Sequence, residues 1–185
     1  LCATKARDTV EDVDPVGVPV TRAGSWGMLQ STSVCPGMVR LLREKLLDID
    51  LLHVHMPDPM AAMAVWAARP SCPVVLQWHS DVVRQRLMRH VYQPLERWML
   101  QRADAVIATS EPYADSSATL LPWRPKVQVV PLGVNPPLPV EPHLSAEIRH
   151  RYGDRRIVFA LGRMTYYKGY DVLMQAVRHL PDDVV

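Results

Sequence analysis

The chain has 185 residues, 48% of them hydrophobic, and a formal net charge of +2, so it can fill one medium domain or parts of two but is too weakly charged for a general nucleic-acid binder. Cys2, Cys35 and Cys72 are odd in number and far apart, with no Cys-x-x-Cys pair to clamp a metal or run thiol exchange, which fits reduced thiols in the cytosol. No run of about 18 apolar residues occurs, which excludes a spanning helix of that kind.

In chain order, the pattern near the start is weak. Val18-Pro-Val20 reads as a short strand, and Asp12-Val-Asp14 beside Pro15 reads as turn aspartates rather than as a cation site. Pro36 to Leu47 has helical spacing, with Arg40, Arg43 and Lys45 flanking an apolar stripe. Such a helix packs on its own sheet or touches an anionic membrane surface. Asp48-Ile-Asp50 immediately precedes the strand Leu51 to His55 and is again a turn. His53 and His55, two apart on that strand, share a side and can start a metal site, but Asp58 is the sole third ligand in reach and no metal is expected.

A helix follows over Met60 to Arg69, then a strand over Val74 to Trp78 that runs into His79-Ser80-Asp81. The carboxyl edge of a parallel sheet is where ligand-handling residues sit, so these three are candidates for a cleft, with a capped turn as the structural alternative. Consecutive Ser, His and Asp cannot form a hydrolase relay, and no Gly-x-Ser-x-Gly elbow occurs. Arg86 to Arg102 is helical, and Pro94 should kink or split it. Arg84, Arg86, Arg89, Arg97 and Arg102 read as a solvated face. The strand Ala105 to Thr109 leads into Ser110-Glu111-Pro112, a capped opening for a helix to Leu121, and Val127 to Val130 is the next strand.

Five prolines between Pro131 and Pro142, with Gly133 and Asn135, suit a semi-rigid connector. Beyond it, the strand Ile157 to Leu161 runs into Gly162-Arg-Met-Thr-Tyr-Tyr-Lys-Gly169 and a helix to Leu180, whose Val172, Leu173, Ala176, Val177 and Leu180 form one stripe. Two glycines that let backbone approach closely, free amides at a helix start and the cations Arg163 and Lys168 together suit a phosphate ligand. A Walker loop does not fit, because Tyr167 precedes Lys168 and Gly169 follows it. A basic surface turn is the plainer reading. Alternation of strands and helices predicts an α/β fold with right-handed crossovers and a parallel sheet covered on both faces. A start at Leu1 and an end at Pro181-Asp-Asp-Val-Val185, a turn feeding a new strand, are expected of an internal stretch of a longer protein.

Five segments in order, Leu51-Leu-His-Val-His-Met-Pro-Asp-Pro-Met60, His79-Ser-Asp-Val-Val-Arg-Gln-Arg86, Ala103-Asp-Ala-Val-Ile-Ala-Thr-Ser110, Val129-Val-Pro-Leu-Gly-Val134 and Leu161 to Gly169, resemble the family 4 retaining glycosyltransferases of the GT-B fold. The narrower likeness is to bacterial enzymes of lipopolysaccharide, capsule or exopolysaccharide synthesis. The resemblance implies two Rossmann-like domains: 1–135 on the acceptor side, incomplete at its start, a linker over 136–144, and over 145–185 the opening of a nucleotide-sugar domain. It implies hexosyl transfer from a nucleotide sugar to a saccharide or lipid-linked saccharide, with retention and with neither metal nor cofactor, on the cytoplasmic side with peripheral contact at the inner membrane surface.

By the same resemblance Arg163 and Lys168, with Gly162 and Gly169, bind the donor diphosphate, His79 lies by the reacting sugar, and Ser80, Asp81 and Gly133 line or flank the cleft. The family's Glu-x₇-Glu motif and its first glycine-rich loop are both missing from this stretch, so it is expected to be inactive alone. A GT-B epimerase, a phosphorylase or a non-catalytic nucleotide-sugar module are the alternatives, and fold alone does not choose among them.

Overall fold

The computed structural model describes residues 1–29, 32–81, 86–133, 136 and 139–185, excluding the side chains of 86–90. The chain divides into two units, Leu1–Gly133 and Val134–Val185.

The first unit opens with β1 (Cys2–Ala3), β2 (Val10–Val13) and β3 (Pro19–Ala23), a small sheet in the order β1-β3-β2. The β2–β3 turn is built by Asp14, whose carboxylate accepts the amides of Val16 and Val18 at 3.0 and 2.8 Å. That is the turn role expected of it. Close packing at this sheet demands glycine at position 24, where an added Cβ would sit 2.0 Å from the Arg7 carbonyl oxygen. A two-residue hairpin pair, β4 (Met28–Leu29) and β5 (Thr32–Ser33), leads to helix α1 (Met38–Lys45).

The main sheet follows: β6 (Leu52–Met56), α2 (Pro59–Ala68), β7 (Val74–Trp78), α3 (Arg86–Arg102), β8 (Ala105–Ala108), α4 (Glu111–Ser116) and β9 (Val127–Val129). Its four strands are parallel in the order β6-β7-β8-β9. Because spatial order follows chain order, successive right-handed crossovers fall on one face. On that face Val54, Leu76, Val106 and Val127 pair in register and are buried with Leu41, Leu42, Val65, Met99 and Leu100 of the helices. Full burial of side chains such as Leu76 and Trp78, both 0% exposed, contributes about 1.5–3 kcal/mol each. The opposite face carries exposed His53 and His55 and half-buried Val75, Gln77 and Ile107. The expected covering of both faces is not met by the described residues, whose connecting helices lie on one face.

Side chains fix the element ends. Asp58 caps α2 by accepting the amides of Met60 and Ala61 at 2.9 and 3.1 Å, with Pro59 in the first turn. Ser110 caps α4 in the same way through the Tyr113 amide, as its sequence predicts. Lys126 donates to the Leu100, Gln101 and Ala103 carbonyls and so closes the carboxyl end of α3. Helix α3 passes through Pro94 as one element rather than splitting. Helix α4 stops at Ser116, short of the predicted Leu121, because the Ser117 hydroxyl turns to Asp81 and to the Leu120 amide; a 3₁₀ turn over Leu121–Lys126 completes the connection.

The second unit holds α5 (Pro142–Tyr152) and α6 (Tyr170–Ala176) with short 3₁₀ turns over Tyr166–Lys168 and Val177–His179. Helix α5 begins within the stretch read as linker, with Pro142 in its first turn. The strand read over Ile157 to Leu161 does not form. A single parallel bridge joins Arg156 to Val184, and Phe159 and Leu161 are 79% and 87% exposed. Around that bridge the amides of Arg156 and Val158 donate to the Asp183 and Val185 carbonyls, and the Val185 amide donates to the Arg156 carbonyl.

Candidate functional site

His79 follows β7 directly. Its amide donates to the Met56 carbonyl at 2.9 Å, which extends the β6–β7 ladder by one step. In that ladder His55 pairs with Gln77, so His79, two residues further along, points to the same open face as His55. The outcome is direct contact: His55 Nδ1 lies 2.8 Å from His79 Nε2, with ring centres 5.0 Å apart and the rings edge to edge, 9° between planes. His53 stacks on the other side of His55 at 5.0 Å. Burial, followed by the repulsion of neighbouring imidazoles, pushes the pKa of both His53 and His79 below the ordinary histidine value. Both effects favour the neutral imidazole, which has one donor and one acceptor nitrogen.

Asp81, expected to line the cleft, has three partners within the first unit. Its carboxylate accepts the Trp78 indole N–H at 3.0 Å, the Tyr113 hydroxyl at 2.9 Å and the Ser117 hydroxyl at 2.8 Å. It pins the loop carrying His79 to α4. Ser80 is exposed beside it, and Gly133 is exposed at the end of the first unit. Val82, Val83, Arg84, Gln85, Val134 and Asn135 of the sequence motifs lie outside the described residues, as do the side chains of Arg86 and Arg89.

A cavity of about 350 Å³ lies beside β6, with His53, His55 and Asp58 as polar lining and Leu42, Leu52 and Val65 among its apolar walls. Asp58 spends its carboxylate on the α2 cap, so the His-x-His pair does not recruit it as a third ligand. Among the described residues no group of three His, Cys, Asp or Glu side chains is arranged to hold a metal ion. The His55–His79 pairing is the feature that sequence reading missed. Its signal was strand register, which residue types alone do not reveal.

In the second unit the segment from Gly162 to Gly169 converges on Tyr167. Lys168 Nζ lies 5.4 Å from the centre of the Tyr167 ring. The Thr165 hydroxyl and then the Arg163 guanidinium lower the Tyr167 phenol from its usual range. Lys168 thus has its ammonium beside the Tyr167 ring, and Arg163 acts on the phenol of the same residue. Gly169 has φ +65°, a conformation that favours glycine, and the Gly162 backbone passes so close to Tyr170 that an added Cβ would meet its hydroxyl at 2.9 Å. These glycines shape the turn that presents the cations.

The family model for Glycosyltransferase Family 4 matches residues 1–137. The chain belongs to glycosyltransferase family 4. Two bacterial relatives agree: O-antigen chain mannosyltransferase C of Escherichia coli is 34% identical over 130 residues, covering 70% of this chain and 35% of that protein. D-rhamnosyltransferase WbpZ of Pseudomonas aeruginosa is 30% identical over 153 residues, covering 81% of this chain and 40% of that protein. This family 4 chain therefore spans well under half the length of the curated relatives it matches. Among solved structures, Anabaena Alr3699/HepE in complex with UDP-glucose aligns with a TM-score of 0.60 at 17% identity, covering 80% of this chain and 41% of that one. Its complex with UDP gives 0.59 at 16%. The fold is α/β, of the GT-B class seen in these neighbours. No helix among the described residues is long and apolar enough to cross a membrane.

Proposed function

We propose that the protein is a retaining, metal-independent hexosyltransferase of bacterial polysaccharide synthesis, which moves a sugar from a nucleotide-sugar donor to a hydroxyl of a saccharide or lipid-linked saccharide. The observation that carries this reading is the place of His79 at the carboxyl edge of the parallel sheet of a family 4 chain, its Nε2 2.8 Å from His55 Nδ1. The names of the O-antigen mannosyltransferase and of the rhamnosyltransferase support the sugar and acceptor classes, and the UDP-glucose complex supports the donor class.

In this mechanism the bond between the anomeric carbon and the diphosphate oxygen breaks and negative charge builds on the leaving diphosphate, while the acceptor oxygen bonds to that carbon and its proton passes to the diphosphate. Arg163 and Lys168 stabilise that charge more than they stabilise the intact donor, which speeds the chemical step instead of merely tightening binding. The glycines at 162 and 169 let backbone amides approach the same oxygens. His79 hydrogen-bonds the donor sugar and orients its anomeric carbon toward the acceptor hydroxyl. The reaction takes place on the cytoplasmic side.

The test incubates the intact protein with labelled UDP- and GDP-hexoses, with and without a lipid-linked saccharide, in the presence of EDTA. Acceptor-dependent transfer that survives EDTA and keeps the anomeric configuration is expected. Conversion of donor alone, consumption of free phosphate, or tight donor binding with no transfer to any acceptor would overturn the reading in favour of an epimerase, a phosphorylase or a binding module respectively.

A further inference from the structure

We propose that His55 is a positioning residue for His79, fixing the ring plane and tautomer in which His79 meets the donor sugar. The proposal rests on the reading of His79 as the sugar-contacting residue, and its geometry is independent of that reading. His55 Nδ1 and His79 Nε2 are 2.8 Å apart and the rings are nearly parallel. One proton occupies that bond, since two imidazole nitrogens at this distance need one N–H and one lone pair. When the proton resides on His55 Nδ1, the neutral His79 carries its own on Nδ1 and offers a donor there. When it resides on His79 Nε2, His79 Nδ1 is an acceptor. His55 thus decides which hydrogen-bonding role the free nitrogen of His79 plays.

Adding one proton to the pair keeps the shared bond and makes Nδ1 of His79 a donor. Adding a second destroys the bond, because both facing nitrogens then carry hydrogen. The groups around the pair are His53, stacked on His55; Asp58 and Cys2, which line the same cavity as His55; and Asp81, two residues beyond His79. Burial and the facing imidazole both favour the neutral form of His79. Asp58 and Asp81 are already engaged as acceptors, by the start of α2 and by Trp78, Tyr113 and Ser117 respectively.

The experiment compares His55→Phe, which keeps a ring at this position without the hydrogen bond, with His55→Asn, whose amide reaches the place of Nδ1, in the intact protein. Two readouts are combined: turnover across pH with labelled donor and acceptor, and ¹⁵N chemical shifts of the His79 ring. The expected result for His55→Phe is a fall in kcat of about 10- to 100-fold, with donor KM little changed, loss of the wild-type pH limb and a mixture of His79 tautomers where the wild type shows one. His55→Asn recovers most of the rate and the single tautomer. Adding His55→Phe to His79→Ala costs nothing further, because the two residues act as one unit. Unchanged His79 tautomers in His55→Phe, or additive losses in the double variant, would overturn the proposal. A wild type that transfers no sugar, yet holds one His79 tautomer only while His55 is present, supports the positioning and counts against the transferase reading instead.

Discussion

The Asp81 carboxylate lies 2.9 Å from the Tyr113 hydroxyl and ties the loop after β7 to helix α4. Asp81→Ala removes this bond together with those to Ser117 and to the Trp78 indole, whose residue is 0% exposed. An orphaned N–H that far from water makes the loss severe, and a destabilisation of about 2–4 kcal/mol is expected. Tyr113→Phe deletes one donor and should cost about 1 kcal/mol. Urea denaturation of the intact protein distinguishes the two, and equal midpoints for Asp81→Ala and wild type would contradict the assigned role.

Tyr113 also sets an alkaline limit. Burial, then the Asp81 hydrogen bond and charge, raise its pKa well above the ordinary phenol value. The folded state holds this proton more tightly than the unfolded chain, so the contribution is complete below about pH 10 and is lost as pH rises beyond that. Tyr113→Phe should therefore flatten the decline of stability above pH 10, as measured by denaturant midpoints from pH 8 to 11.5. A decline of the same steepness in both proteins would assign it to other groups.

At the acid end the corresponding group is Asp104. The Val74 amide, then Arg102, hold its carboxyl below the usual range. A depressed pKa gives stability that is present above the unfolded value of about 3.9 and is lost as pH falls through the folded one. Asp104→Asn should lower the denaturation midpoint at pH 7, and the difference from wild type should shrink by pH 3. A difference that persists unchanged at pH 3 would mean that the side chain acts by shape and not by charge.

Much of the first unit was legible because its signals are local. The strand Val74 to Trp78 and the helix Arg86 to Arg102 have the predicted limits, since a short apolar run and a long amphipathic pattern need no distant information. The order of five family motifs likewise pointed to the family that residues 1–137 match. Pairing was not legible. The small strands Val10–Val13 and Met28–Leu29 exist through their partners, and Val10 and Val13 are exposed, so no apolar alternation announces them. Conversely, Ile157 to Leu161 has strand composition, and among the described residues one bridge, Arg156 to Val184, adjoins it. The prolines at 136–142 masked α5, although Pro142 sits where a helix tolerates proline best. For the site, His79 was legible from its place after a strand, whereas His55 became its partner only through the parallel register that sets His55 opposite Gln77.

Lys168, whose ammonium lies 5.4 Å from the Tyr167 ring centre, gives the most direct test of the proposal that this turn grips the donor diphosphate. The measurement is sugar transfer by the intact protein at saturating nucleotide sugar, wild type against Lys168→Ala. The account predicts a fall in turnover of about 10²–10³-fold, the cost of removing an electrostatic donor to a charge that grows in the transition state. Turnover equal to wild type at saturating donor would contradict it.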